Sequence, residues 1–87
     1  MDKKTAEQLK KVINKEKHYQ TNFQSKTNEL RVRVYTWTCE CDKDETKENN
    51  NILAVLNKLT ENGLRFSYRI ERRVYQGFIH DTNIIFS

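Results

Sequence analysis

Apolar residues along this 87-residue chain switch between helical and strand spacing, and each switch marks an element. Leu9, Val12 and Ile13 form a narrow helical stripe, extended by Ala6 and Tyr19, in a segment otherwise built of Lys, Glu and Gln. Thr5 and Gln8 have capping-box spacing and predict that the helix starts at Thr5. Residues 18–29 (HYQTNFQSKTNE) carry turn formers and no period. They read as a connector, with Phe23 as its one candidate for the core. Residues 30–41 (LRVRVYTWTCEC) alternate strictly and are rich in β-branched and aromatic side chains, which predicts a strand. Leu30, Val32 and Val34 lie on one side of it, and Arg31, Arg33, Tyr35, Trp37, Cys39 and Cys41 on the other.

An acidic loop over 40–51 separates this strand from a second helix. Ile52, Val55, Leu56 and Leu59 give that helix one continuous stripe. An asparagine among 49–51 is suited to its start, and Asn62-Gly63 to its end. Leu64, Phe66, Tyr68 and Ile70 then alternate with Arg65, Ser67, Arg69 and Glu71, predicting a strand with an apolar core side and a basic wet side. Gln76-Gly77 reads as a turn or bulge, and residues 78–86 (FIHDTNIIF) as a further strand, hairpin-paired or broken by a tight turn at Asp81–Asn83.

The order α-β-α-β-β predicts an α+β fold: one small twisted sheet with one or two helices on one face. A single domain spans 1–87, with a basic helix and connector over 1–29 and a β-α-β-β core over 30–87. If the first two strands are neighbours, the helix between them makes a right-handed parallel crossover.

Charge changes this picture in one respect. The net charge is +4, with basic ends flanking an acidic middle, so polyanions or acidic protein surfaces are favoured as partners. There is no apolar run long enough to span a membrane and no secretory leader pattern. Two cysteines spaced for a strand suit free thiols in a reducing compartment, so a cytoplasmic location is expected. A homodimer would supply burial that so short a chain lacks.

Three groupings could carry chemistry. If Val32 and Val34 are core, then Arg31, Arg33, Tyr35 and Trp37 share one open surface with Arg65, Arg69 and Arg73. Guanidinium forks and flat aromatic rings suit phosphates and unstacked bases. Cys39 and Cys41 have the wrong spacing for a zinc knuckle, and the acidic loop lacks the glycine and glutamate of an EF-hand, so no metal is expected. His80-Asp81 has no nucleophile near it in sequence and no phosphate-cradling glycine loop, so no catalytic residue and no cofactor is expected.

The run LRVRVYTW, an acidic linker, a helix ending LTENGL, the strand LRFSYRI and then FIHDTNIIF resembles the MIT C-terminal domain, a phospholipase D-like fold. The likeness covers residues 30–87, and its specific parts are GL and IHDxxI. Thr82 stands where that family has arginine, and Ser87 where phospholipase D enzymes have aspartate. The resemblance therefore implies non-catalytic binding of phosphate or acidic phospholipid, with His80 as the carried-over position and Arg73 supplying the missing charge.

The function expected is a non-catalytic, regulatory binding protein that docks a protein or protein–nucleic acid complex. Nine asparagines, ten lysines and no proline fit an AT-rich genome. In a phage or mobile element, an inhibitor of a nucleic-acid-directed defence system, such as an anti-CRISPR, is the natural form of such a protein. The alternatives are direct single-stranded nucleic-acid or RNA binding through the Arg/aromatic face, and the reduced phospholipase D-like binder.

Overall fold

A computed structural model describes residues 1–37 and 44–87, without the side chains of 44 and 45. Expectations for Cys39, Cys41 and the start of the acidic loop lie outside the described residues. Helix α1 (Lys3–Ile13) begins before the predicted Thr5. Asp2 caps it instead, its extended backbone letting Oδ1 accept from the Thr5 amide at 2.7 Å. Ala6, Leu9 and Ile13 are buried along one side, as their spacing requires. Past the helix, the Asn14 side chain accepts from the Tyr19 amide at 2.7 Å and turns the chain into a strand.

That strand, β1 (Gln20–Gln24), lies within the segment predicted to be a connector. It pairs antiparallel with β2 (Glu29–Thr36). Its one apolar side chain, Phe23, sits opposite Leu30 and packs on the core. Helix α2 (Asp44–Glu61) starts well before the predicted asparagine caps. Asn51 is therefore inside the helix, and its amide donates to the Val34 carbonyl at 2.7 Å, tying α2 to β2. The helix ends as expected: Gly63 at φ +70° lets Leu64 and Gly63 donate back to the carbonyls of Leu59 and Thr60.

The sheet order is β1-β2-β4-β3, antiparallel throughout, with β3 (Tyr68–Tyr75) and β4 (Phe78–Phe86) forming a hairpin. β4 runs unbroken through Asp81–Asn83 and separates β2 from β3, so no parallel crossover exists. The fold is α+β, in the order α-β-β-α-β-β. Both helices lie on one face of the sheet, where Ala6, Leu9, Ile13, Val55 and Leu59 meet Leu30, Val32, Val34, Ile84 and Phe86. The first 29 residues thus belong to the core they were expected to precede.

Gln76 and Gly77 form the hairpin turn with φ of 51° and 81°. Two positive φ values give the type I′ turn, which suits the right-handed twist of the flanking strands. Glutamine tolerates this conformation poorly, whereas asparagine visits it readily. Gln76→Asn is expected to stabilise the fold by about 0.5 kcal/mol, a rise of roughly 2–4 °C in melting temperature by circular dichroism.

Candidate binding surfaces of the sheet

Away from the helices, the odd-numbered residues of β2 up to Arg33 and those of β3 share one face of the sheet. Arg31 lies opposite Ile85, which lies opposite Arg69; Arg33 lies opposite Asn83, which lies opposite Glu71. Arg73 lies opposite Asp81. Four guanidinium groups (Arg31, Arg33, Arg69, Arg73) therefore meet three carboxylates (Glu29, Glu71, Asp81). Arg31 reaches Glu71 at 3.3 Å, and Arg69 reaches Glu71 at 3.3 Å and also binds Glu29. Arg73 takes both carboxylate oxygens of Asp81, with Nε to Oδ1 at 2.9 Å. Arg33 bonds the neutral Gln20 at 3.2 Å. Ile85 is fully buried although it is outside the helix-side core. Arg31 and Arg69 flank it, and their aliphatic stems are placed to cover it. Across the four strands this face leaves a shallow polar depression of about 260 Å³.

The helix side holds a second cluster. Glu48 of α2 is buried, with its side chain 1% exposed. It accepts from Arg72 Nε at 2.6 Å, from Arg72 Nη2 and from the Thr82 hydroxyl. Burial works to raise the Glu48 carboxyl, but the Arg72 and Thr82 hydrogen bonds and the Arg72 charge outweigh it and hold the group below its ordinary value. The Arg73 hydrogen bond holds Asp81 low against its own burial, and Arg69 does the same for Glu29. A carboxyl lowered on folding stabilises the fold fully above its ordinary range and loses that contribution as pH falls through the lowered value. Unfolding free energy is therefore expected to be flat in neutral solution and to fall with acid from about pH 4.5, the ordinary value for Glu, downward. Glu48→Gln is expected to make that fall shallower, measured by urea denaturation at stepped pH.

The residues expected to form one Arg/aromatic surface are divided. Arg31, Arg33, Arg69 and Arg73 do share a face. Tyr35 does not, because a bulge between Arg33 and Tyr35 shifts the register and sets Tyr35 opposite Thr82, on the side facing α2, where it is buried. Trp37 is exposed beyond the end of β2, its amide donating to the His80 carbonyl at 2.8 Å. Arg65 lies off the sheet and is exposed, in the segment before β3 whose Leu64 and Phe66 pack on the core. His80 is exposed at the register shift between Arg73 and Val74, and the Arg73 charge expected to assist it is occupied by Asp81. Among the described residues no group of three His, Cys, Asp or Glu is placed to hold a metal, and no helix is long and apolar enough to cross a membrane.

A further surface is not evident from the sequence, where alternation assigns Tyr68 and Ile70 to the core and Val74, Tyr75 and Phe78 to neither side. Tyr68 and Ile70 share the helix side of β3, as their alternation implied, yet both are exposed. β3 is an edge strand, and α2 rests mainly on β2 and β4. At the hairpin end Val74, Tyr75 and Phe78 are 58%, 70% and 53% exposed, with Tyr75 and Phe78 a direct cross-strand pair. Comparison of this chain with protein-family models, with curated proteins and with solved structures finds no match, so the reading of its function rests on these surfaces.

Proposed function

We propose that this chain is a non-catalytic module that docks a protein partner through the β3 edge and the β3–β4 hairpin. The observation that carries this reading is a contrast. Large apolar side chains at Val74, Tyr75 and Phe78 stand in solvent, while Arg31, Arg69, Arg72 and Arg73 are already matched by carboxylates of the same chain. Exposed apolar side chains with aromatic members are what protein contacts use, and aromatics supply most binding hot spots. Tyr75 and Phe78 pair on one face of the hairpin end, and Val74 lies on the other. A guanidinium whose charge is already offset by its own carboxylate gains less from a phosphate, so the Arg face is a weaker polyanion site than its arginine count suggests. The module acts by its surface, as a regulatory or inhibitory protein does. An inhibitor of a nucleic-acid-directed defence system remains one member of that class, supported by size and composition.

The test compares two variants of the tagged chain in capture from lysate. Tyr75→Ser/Phe78→Ser is expected to lose the dominant protein partner by more than tenfold, and Arg31→Gln/Arg33→Gln to retain it. Both aromatics are exposed, so the first variant is expected to keep wild-type stability to within about 0.5 kcal/mol. Loss of the partner from the arginine variant alone would overturn the reading.

A further inference from the structure

We propose that the exposed side of α1 is a second contact surface and that its occupant is an acidic protein surface. The inference rests on the protein-docking role assigned above, and it gives the partner its charge.

The excess charge of the chain is concentrated on this element. Residues 1–19 hold six lysines against three acids, so they carry +3 of the net +4. Lys3, Lys4, Lys10, Lys11 and Lys15 are all exposed. Lys3 and Lys10, and Lys4, Lys11 and Lys15, recur four or seven residues apart, which sets them along one side of the helix. The opposite side buries Ala6, Leu9 and Ile13. Among the described residues no ion pair takes up these five ammonium groups, whereas Arg31, Arg69, Arg72 and Arg73 each meet a carboxylate. Of the three acids, Asp2 caps α1 and Glu16 lies 3.8 Å from Lys58. Only Glu7 shares the lysine stripe.

The composition of the stripe selects the occupant. It holds no arginine to fork a phosphate and no aromatic ring to stack a base. Glu7 stands four residues from both Lys3 and Lys11, in the middle of the stripe. A uniform array of phosphates repels an acid at that place, while a protein surface of mixed charge can set a cation against it. The apolar side of α1 is spent on the core, so the helix has nothing to sink into a bilayer. Lysine is a compact, strongly hydrated charge, and at a protein contact such groups attract an acidic partner from a distance and set its orientation.

The stripe also ends near the hairpin. The Asn14 side chain joins the end of α1 to the Tyr19 amide, and β1 begins at Gln20 opposite Arg33. The end of α1 therefore lies at the end of the sheet where β2 finishes and the β3–β4 hairpin runs on past it. One partner can meet both surfaces.

The test titrates a fluorescein-labelled peptide of alternating glutamate and alanine, about 20 residues long, with the full chain and follows anisotropy. Saturable binding is expected at about 50 mM salt, weakening as salt approaches about 150 mM. Lys4→Gln/Lys11→Gln/Lys15→Gln is expected to weaken it by about tenfold. Glutamine is a good helix former, so circular dichroism is expected to show the variant folded. Arg31→Gln/Arg33→Gln is expected to bind the peptide as the wild type does. A folded lysine variant that binds as well as the wild type would overturn the proposal. So would a duplex oligonucleotide, or vesicles with about 30% phosphatidylserine, bound more tightly than the peptide through the same lysines. No binding of the peptide, alongside capture of a protein that still depends on Tyr75 and Phe78, would overturn the acidic partner and leave the docking role standing.

Discussion

Phe86→Ala is expected to lower the stability of this chain by about 3–5 kcal/mol. A domain of this length has roughly 4–13 kcal/mol in total, so the variant is expected to lose a large share of its stability. Phe86 is fully buried on the central strand β4, opposite Leu30 on one side and Tyr68 on the other. Its ring meets Phe66 edge-on at 5.6 Å and Tyr68 at 6.4 Å. Truncation would remove the contact that joins the approach to β3, the hairpin and the helix-side core at one point. Urea denaturation followed by circular dichroism measures the loss, and a change below about 1 kcal/mol would show that the cluster is not a principal support of the core.

Arg72→Ala is expected to cost about 2–3 kcal/mol, less than a fully buried ion pair because Arg72 is itself partly exposed. The variant would leave the Glu48 carboxylate buried with only the Thr82 hydroxyl as a donor. The cost is expected to shrink in acid, where Glu48 protonates and needs no counter-charge. Arg72→Met combined with Glu48→Met and Thr82→Val replaces the whole polar cluster with apolar groups. That combination is expected to recover most of the loss. Equal stability of Arg72→Ala and wild type across the pH range would show that the buried carboxylate is satisfied without its arginine.

Much of the fold was legible because its main elements bury one clean side. The β2 alternation, the α2 stripe from Ile52 to Leu59, the Gly63 stop and the Gln76-Gly77 turn all stand where spacing and turn chemistry place them. β1 was not legible, since an edge strand with a single apolar residue is held by backbone pairing that leaves no side-chain period. The early start of α2 was hidden by charge, because an acid-rich stretch reads as a loop although acids suit the first turns of a helix. Alternation gave the correct sides for Tyr68 and Ile70 but overstated their burial, because it does not say how far a helix reaches across a sheet. A single bulge in β2 turned Tyr35 to the other side. The arginine face was recognised in part, and its counter-charges were not. Glu29 and Glu71 each lie 40 residues from the arginine they meet across the sheet, and only the strand register brings them together.

If Arg31, Arg69 and Arg73 are held by their own carboxylates, leaving Arg33 on the neutral Gln20, the chain should have little affinity for nucleic acid. The direct measurement is fluorescence anisotropy of a labelled single-stranded oligonucleotide titrated with the wild-type chain from 50 to 200 mM salt. The expected result is no saturable binding at about 150 mM salt. Contradiction would be tight binding that weakens by about 0.7 log units per log unit of salt for each phosphate engaged and is lost in Arg31→Gln/Arg33→Gln.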